Sequence, residues 1–336
     1  MVKTTRLGGT AKDVVVGKVA NTDSSMVGLA WAYVYDAFDT IKSGIDLLPP
    51  GAKMMLNSSE FYGPNWDIAN IELLARFYEK YPEYVDKTFL SGAAKSFGLT
   101  SSKPEDLRRS VDICIKALRG TKKIDLFEPA RIDRDVSIED TMHALVEMVR
   151  EGKFDHIGLS ECSAATLRRG YAVYPISVVE IEISPMVYEE ETKRVIAACA
   201  ELDVAIAAYS PLGGGLTTGM IKDPMQTTGH WIKSLNVSQP ENWEYNRRFV
   251  EAFAGYAAKK GCTPAQLSIA WVAALGEKII PLPGSSKKER NLENIRGGDI
   301  ELSPDDLAEI ARIMKENPVK GNRGLATKAI DLKLWG

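Results

Sequence analysis

No stretch of about 18 consecutive apolar residues occurs in the 336-residue chain, so no segment reads as a membrane-crossing helix. The first residues, through Gly17, lack the apolar core of a secretory leader. Histidine is scarce: His143, His156 and His230 lie far apart. The four cysteines, Cys114, Cys162, Cys199 and Cys262, form no C-x-x-C pair. Neither a disulfide framework nor a zinc site is expected, and no metal is assigned. A basic excess is also missing, since 42 Lys and Arg face 45 Asp and Glu for a net charge of −3. That removes the electrostatic footprint of a nucleic-acid binder. The expectation is a protein of a reducing, cytoplasmic compartment that works on small molecules.

What is present is a beat of short apolar runs and helical segments. Hydrophobic residues make up 45% and charged residues 26%, enough for a large core. The runs are Val14–Val19, Met54–Asn57, Thr88–Ser91, Ile124–Glu128, His156–Ser160, Val178–Ser184, Ala205–Ser210 and Ile279–Pro283. Runs that are apolar on successive residues suit parallel strands covered on both faces. Helices between them announce their own ends. Pro104 with Glu105 and Asp106 opens one through Leu118, Ser137 caps one that stops near Gly152, and Ser163 caps one that ends by Pro175. Thr263-Pro264 opens another. Eight strands alternating with helices fit an open doubly wound sheet or a closed barrel. No G-x-G-x-x-G follows the first run, which removes the main signature of the open dinucleotide-binding sheet. The expected fold is a single-domain (β/α)₈ TIM barrel over 1–336 with a C-terminal extra helix and tail.

The interval between the seventh and eighth runs is the longest. The expected insertion spans 214–260: a Gly-rich turn at Gly213–Gly215, a polar loop from Thr217 to Pro240, and a helix from Asn242 to Lys260. It reads either as a lid over the catalytic end or as a disordered insertion. After Ser303-Pro304 a last helix reaches Lys315, and the tail ends in Leu332-Lys333-Leu334-Trp335, a segment suited to docking.

Functional residues of a barrel gather just past the strand C-termini. The eighth such position reads Gly284-Ser285-Ser286-Lys287-Lys288-Glu289-Arg290. Gly284 allows close backbone approach, Ser285 and Ser286 offer donors, and a helix N-terminus attracts anions. Lys287 and Arg290 add charge, with Arg290 able to fork onto a phosphate. The other reading is an ordinary helix with a solvated basic face.

These residues resemble the adenosine 2′-phosphate clamp of the aldo-keto reductases, which bind NADPH across a barrel. The resemblance implies that Ser285, Ser286 and Arg290 hold the phosphate, at the site where Gly284 and Lys287 give backbone approach and charge, and that Glu293 and Asn294 contact adenine. Gly158-Leu159-Ser160-Glu161 is similar to the family's G-x-S-N, with Glu161 in place of Asn. Ser160, Glu161 and Glu180 would then meet the nicotinamide carboxamide. Tyr209-Ser210-Pro211-Leu212-Gly213 is similar to the family's Y-S-P-L-G. Its Tyr stacks on the nicotinamide, and its later residues wrap the pyrophosphate. Asn57 to Gly63 and Leu126 to Asp133 resemble fungal pyridoxal reductases in particular.

The family's reaction uses an Asp, Tyr, Lys and His, and here the chain departs. Tyr62 keeps the tyrosine position. Asn57 stands for Asp, Ala93 for Lys and Ala130 for His, while Lys95 lies two residues past the lysine position. Near the first strand, Asn21 to Val27 replaces the family's usual His-Gly-Leu-Met. The expected catalytic residues are Tyr62, Asn57 and Lys95. A phenol without a neighbouring lysine keeps a pKa near ~10 and is a weak acid at neutral pH. Glu60, Glu128, Glu161 and Glu180 also fall near strand ends, either as acid/base groups or as partners of Arg131 and Lys95 in a structural ion-pair network. The leading expectation is NADPH-dependent reduction of a small aldehyde or ketone. Its rivals are a non-redox isomerase, dehydratase or cyclase on the same barrel, and a non-catalytic binder of NADPH or a small ligand. No nucleic-acid or membrane partner is expected, and oligomeric state is left open.

Overall fold

The computed structural model describes residues 2–22, 34–63, 66–93, 101–227, 230–327 and 332–336. The chain opens with a hairpin, β1 (Thr4–Arg6) antiparallel to β2 (Val15–Gly17). Eight parallel strands follow in one sheet, in sequence order: β3 (Asn21–Thr22), β4 (Met54–Ser59), β5 (Thr88–Ala93), β6 (Ile124–Glu128), β7 (Phe154–Ser160), β8 (Val178–Glu182), β9 (Ala205–Tyr209) and β10 (Ile279–Leu282). The sheet closes on itself. Ala20 N–H donates to the Pro281 carbonyl at 2.9 Å and Thr22 N–H to Pro283 at 3.4 Å. Thr22 and Gly284 form a parallel bridge. The fold is therefore a (β/α)₈ barrel.

The expected first barrel strand, Val14–Val19, needs correction. Its apolar residues belong to β2, and the hairpin closes the N-terminal end of the barrel. Gly8 N–H reaches the Ser177 carbonyl at 3.3 Å and Gly9 N–H the Asp203 carbonyl at 3.1 Å, both just ahead of barrel strands. Leu7, Ala11 and Val16 pack into the lumen with Met55, Phe89, Leu126, Val178 and Leu282. The true first strand is the two-residue β3, which carries no apolar pattern.

Helices cover the outside: α1 (Val34–Ile45), α2 (Ala69–Lys80), α3 (Pro104–Leu118), α4 (Ile138–Arg150), α5 (Ala164–Val173) and α6 (Glu190–Leu202). After β9 come α7 (His230–Ser234), α8 (Pro240–Lys260) and α9 (Pro264–Ala274), and after β10 come α10 (Lys288–Gly297) and α11 (Pro304–Glu316). Caps set their boundaries. Pro104 sits in the first turn of α3, and left-handed Arg119 (φ 52°) ends it. Ser137 accepts the Asp140 N–H at 3.0 Å, and Ser163 accepts Thr166 N–H at 3.2 Å. Thr263 with Gln266, and Ser303 with Asp306, make reciprocal capping boxes. The large core lies between sheet and helices, where Leu56, Phe77, Phe127, Phe154, Ile181 and Phe253 are buried.

The polar loop expected from Thr217 to Pro240 also needs correction. Single 3₁₀ turns at Gly213–Thr218, Pro224–Gln226 and Asn236–Ser238, together with α7, occupy most of it, and α8 starts at Pro240 rather than Asn242. The interval is tied to the tail. Leu235 and Leu325 form an antiparallel bridge, Asn236 N–H donates to the Gly324 carbonyl at 2.9 Å, and Ala326 N–H donates to Ser234 at 2.7 Å. Among the described residues no helix is long and apolar enough to cross a membrane.

Candidate active site

Side chains alternate across a strand, so membership of the lumen cluster fixes which residues face inward. Met55, Phe89, Leu126, Val178, Ala205 and Ala207 line the lower lumen, whereas their neighbours Leu56, Leu90, Phe127, Val179, Ile206 and Ala208 face the helices. Two residues further along, toward the strand C-termini, the inward positions turn polar: Asn57, Ser91, Glu128, Glu180, Glu182 and Tyr209. Five strands thus deliver polar groups to the barrel end where function is expected.

Asn57 is buried on β4, and its Nδ2 donates to Glu180 Oε2 at 2.6 Å. The Glu180 carboxyl in turn meets that of Glu128, which is fully buried on β6. Gly158 makes room for it: a Cβ at this position would sit 2.6 Å from Glu128 Oε2. Neither Glu128 oxygen has an N–H or O–H donor among the described residues. Burial pushes the Glu128 pKa well above the usual carboxylate range, with added repulsion from Glu180 and an opposing pull from Arg131. Burial likewise raises Glu180 to about 7, while its hydrogen bond to Glu128 and the charge of Arg131 hold it down. Two carboxyls in contact require a proton between them.

Glu161 follows β7 in a left-handed conformation (φ 52°), as does Ser210 after β9 (φ 51°). Such backbone costs on the order of 1–3 kcal/mol per residue and is typical of functional sites. The turn at 161 aims its carboxylate across the barrel mouth. Oε1 accepts the Tyr209 hydroxyl at 2.7 Å and the Glu182 N–H at 3.3 Å, and Oε2 accepts Arg323 Nη2. Arg323 comes from the tail, buried like Glu161. Its Nε lies 3.7 Å from Glu182, and its guanidinium lies over the Trp335 ring at 4.6 Å. Trp335 Nε1 donates to Glu189 at 3.1 Å, and Arg131 Nε donates to the Leu332 carbonyl at 2.8 Å. Burial raises Glu182 to about 7 against the pull of Arg323. Burial, then Glu161, keeps the Tyr209 phenol protonated.

Tyr62 lies on the rim, half-buried after β4. Its ring meets Phe61 edge-on at 5.0 Å and packs on the cluster of Phe61 and Ala130. The tyrosine and histidine positions of the resemblance therefore come together. Ala93 ends β5 in register with Ser59 on one side and Glu128 on the other. Lys95 lies outside the described residues. Glu60 does not join the lumen group: it lies 4.0 Å from Arg109 of α3, on the helix side of the wall.

The remaining positions lie around the same end. Ser160 is buried and in register with Glu180. Tyr209 is in register with Glu182 and with Leu282, two residues before Gly284. The turn at Ser210–Gly213 is braced from behind, since Ser268 Oγ donates to the Pro211 carbonyl at 2.6 Å and Gly213 N–H to Ser210 at 2.8 Å. Gly213, Gly214 and Gly215 all have positive φ, a run that side chains would strain. At α10 the N-cap Lys287 supplies no side-chain cap. Ser285 Oγ accepts the Lys287 N–H at 3.2 Å. Lys287, Lys288 and Arg290 are exposed and make no ion pair with another described residue. Glu293 accepts the Thr263 hydroxyl at 2.6 Å, and Asn294 is buried. An uncapped helix N-terminus flanked by uncompensated cations suits an anion.

Residues 44–315 match the model of the Aldo/keto reductase family. The chain belongs to the aldo/keto reductase family. Its relatives include the "Probable pyridoxal reductase 2" of Schizosaccharomyces pombe, 33% identical over 319 residues, covering 91% of this chain and 95% of that protein. An aldo-keto reductase of Strobilurus tenacellus is 34% identical over 272 residues, covering 77% and 79%. In architecture the chain is similar to a glycerol dehydrogenase of Gluconobacter oxydans, with TM-score 0.75 and 19% identity over 94% of this chain and 96% of that one. This aldo/keto reductase is thus an oxidoreductase acting on carbonyl groups, of a family that works with nicotinamide nucleotides.

Sequence reasoning missed Arg323, Glu182 and Glu189. Glu182 was within reach, because the spacing Val178–Glu180–Glu182 keeps the inward face. Arg323 had no local signal: it stands in a polar tail, 162 residues from its partner Glu161.

Proposed function

We propose that this chain reduces a small aldehyde or ketone with NADPH, in the manner of pyridoxal reductases. The observation that carries the cofactor assignment is the uncapped N-terminus of α10 with free Lys287 and Arg290 beside Ser285 and Ser286. Those four residues, with Gly284, suit a 2′-phosphate, and Glu293 and Asn294 lie one to two turns further on for the adenine. Ser210, Pro211, Leu212 and Gly213 would follow the pyrophosphate. Tyr209 would face the nicotinamide ring, with Ser160, Glu161 and Glu180 toward its carboxamide. The phosphate end fits the group as it stands. At the other end both Glu161 oxygens are engaged, one by Tyr209 and one by Arg323, so a carboxamide there must share Glu161 with the tail.

Bound NADPH supplies the hydride. Tyr62, on the rim against Ala130, gives its proton to the substrate oxygen. Asn57 holds the Glu180 side of the lumen, and Lys95 is assigned the part of the missing lysine. The test is NADPH consumption with a panel of aldehydes that includes pyridoxal, for wild type and Tyr62→Phe. Wild type should consume NADPH, and the variant should lose ~10²-fold or more, the usual worth of a positioned acid. Absence of turnover with every aldehyde would sink the proposal. Full activity in Tyr62→Phe would remove the phenol from it.

A further inference from the structure

We propose that Glu128 and Glu180 hold one proton between them and form a second acid of the site, seated inside the lumen while Tyr62 stands at its rim. The inference rests on carbonyl reduction but not on Tyr62.

The geometry is specific. Asn57 Nδ2 donates to one oxygen of Glu180 at 2.6 Å, so that carboxyl is the anchored member of the pair. Both Glu128 oxygens are buried without a hydrogen-bond donor among the described residues, and the Glu180 carboxyl is the foremost charge acting on them. Two more polar atoms on the same inward face are also unpartnered: Asn57 Oδ1 and Ser91 Oγ, each on a fully buried residue. Register places Ser91 opposite Asn57, and Glu128 beside Ala93. Among the described residues, the charged and titratable groups acting on the pair are Arg131, Glu161 and Cys162. Among the described residues, Arg131 is the cation acting on both carboxyls. Glu180, raised to about 7, is the member that gives up its proton first as pH rises, and Glu128 is the member that keeps the shared one.

The proton step balances as follows. On this route Glu128 supplies the single proton in place of Tyr62: its O–H bond breaks while the one new O–H bond forms at the substrate oxygen, which has gained negative charge as its carbonyl carbon accepts hydride. Glu128 is left as a carboxylate beside Glu180, with Arg131 offsetting part of the repulsion, and solvent returns the proton. An acid whose pKa is lifted toward the working pH is better matched to this task than an unassisted phenol.

Infrared spectroscopy of the protein without cofactor tests the shared proton directly. A protonated-carboxyl C=O band should be present at neutral pH and lose the Glu128 contribution in Glu128→Gln, with Glu182→Gln removing the part that belongs to Glu182. Absence of the Glu128 contribution from wild type overturns the proposal. Kinetics test the role. Glu128→Gln keeps the shape and a hydrogen bond to Glu180, so it should fold, yet lose ~10²-fold in kcat. Glu128→Asp should recover part of that. Glu180→Gln removes the like charge, so the alkaline limb of the kcat profile should shift to lower pH. A rate and pH profile unchanged in Glu128→Gln would overturn the role even with the band present. If Glu128→Gln loses activity while Tyr62→Phe keeps it, the pair stands and the phenol falls; the reverse result leaves the phenol alone.

Discussion

Arg290 and Arg323 are both arginines at the mouth of one barrel, and their surroundings give them opposite roles. Arg290 is exposed, with no acidic partner among the described residues, so its charge is available to a ligand. Arg290→Ala should weaken NADPH binding by about 1.5–3 kcal/mol, the worth of hydrogen bonds to a charged group, and leave NADH nearly unaffected. Titration with each nucleotide decides it, and equal loss for both would remove the 2′-phosphate assignment. Arg323 is buried and already committed to Glu161. Arg323→Ala leaves a buried carboxylate without its cation, a change that typically costs about 3–5 kcal/mol. Glu161→Gln added to it should return much of that stability, because the uncompensated charge is gone. Denaturant unfolding of the two single variants and the double variant measures the coupling, and additive effects would contradict a direct pair.

At the scale of elements, the C-terminal tail and the interval between β9 and β10 behave as one piece. Asn246 on α8 is their fastener. It is fully buried, donates to the Val237 and Lys320 carbonyls at 2.9 Å each, and accepts the Lys320 N–H at 2.7 Å. Asn246→Ala leaves three backbone groups without partners and should cost about 3 kcal/mol, with protease cleavage appearing near residues 318–327. An unchanged digestion pattern would show that the bridge at Leu235–Leu325 suffices alone. The sequence announced most elements because the strands from β4 to β10 are largely buried apolar runs and helices such as α4, α5, α9 and α11 carry side-chain caps. It misassigned Val14–Val19 because an apolar run looks the same whether it lines a barrel wall or plugs its base. It placed Tyr62, Asn57, Glu180 and the Ser285 turn at one end because strand termini decide that. It could not show Glu128 buried beside Glu180, or Arg323 bonded to Glu161, because those arrangements join strands and tail far apart in the chain.

For the molecule as a whole, a formal charge of −3 makes global repulsion a minor term, so the pH dependence of stability falls to a few buried acids. Glu180 and Glu182 have folded-state pKa values raised by burial to about 7, against an ordinary value of 4.5, and Glu128 is raised well above it. Between those values the folded chain holds protons that the unfolded chain has released. Stability tied to these groups is complete below about pH 4.5 and is lost as pH rises through about 7. Asp306 works in the other direction. Hydrogen bonds from Lys260, then Tyr256 and the Ser303 N–H, depress its pKa, so its contribution is present above its ordinary 3.8 and lost in stronger acid. The melting temperature should therefore fall steadily from about pH 5 to about pH 8. Glu128→Gln and Glu182→Gln should each flatten that slope, since an amide has no proton to give up. A melting temperature that holds constant or climbs across this window in wild type would mean that the lumen acids are ionised in the folded state, and with it the shared proton of Glu128 and Glu180 would be gone.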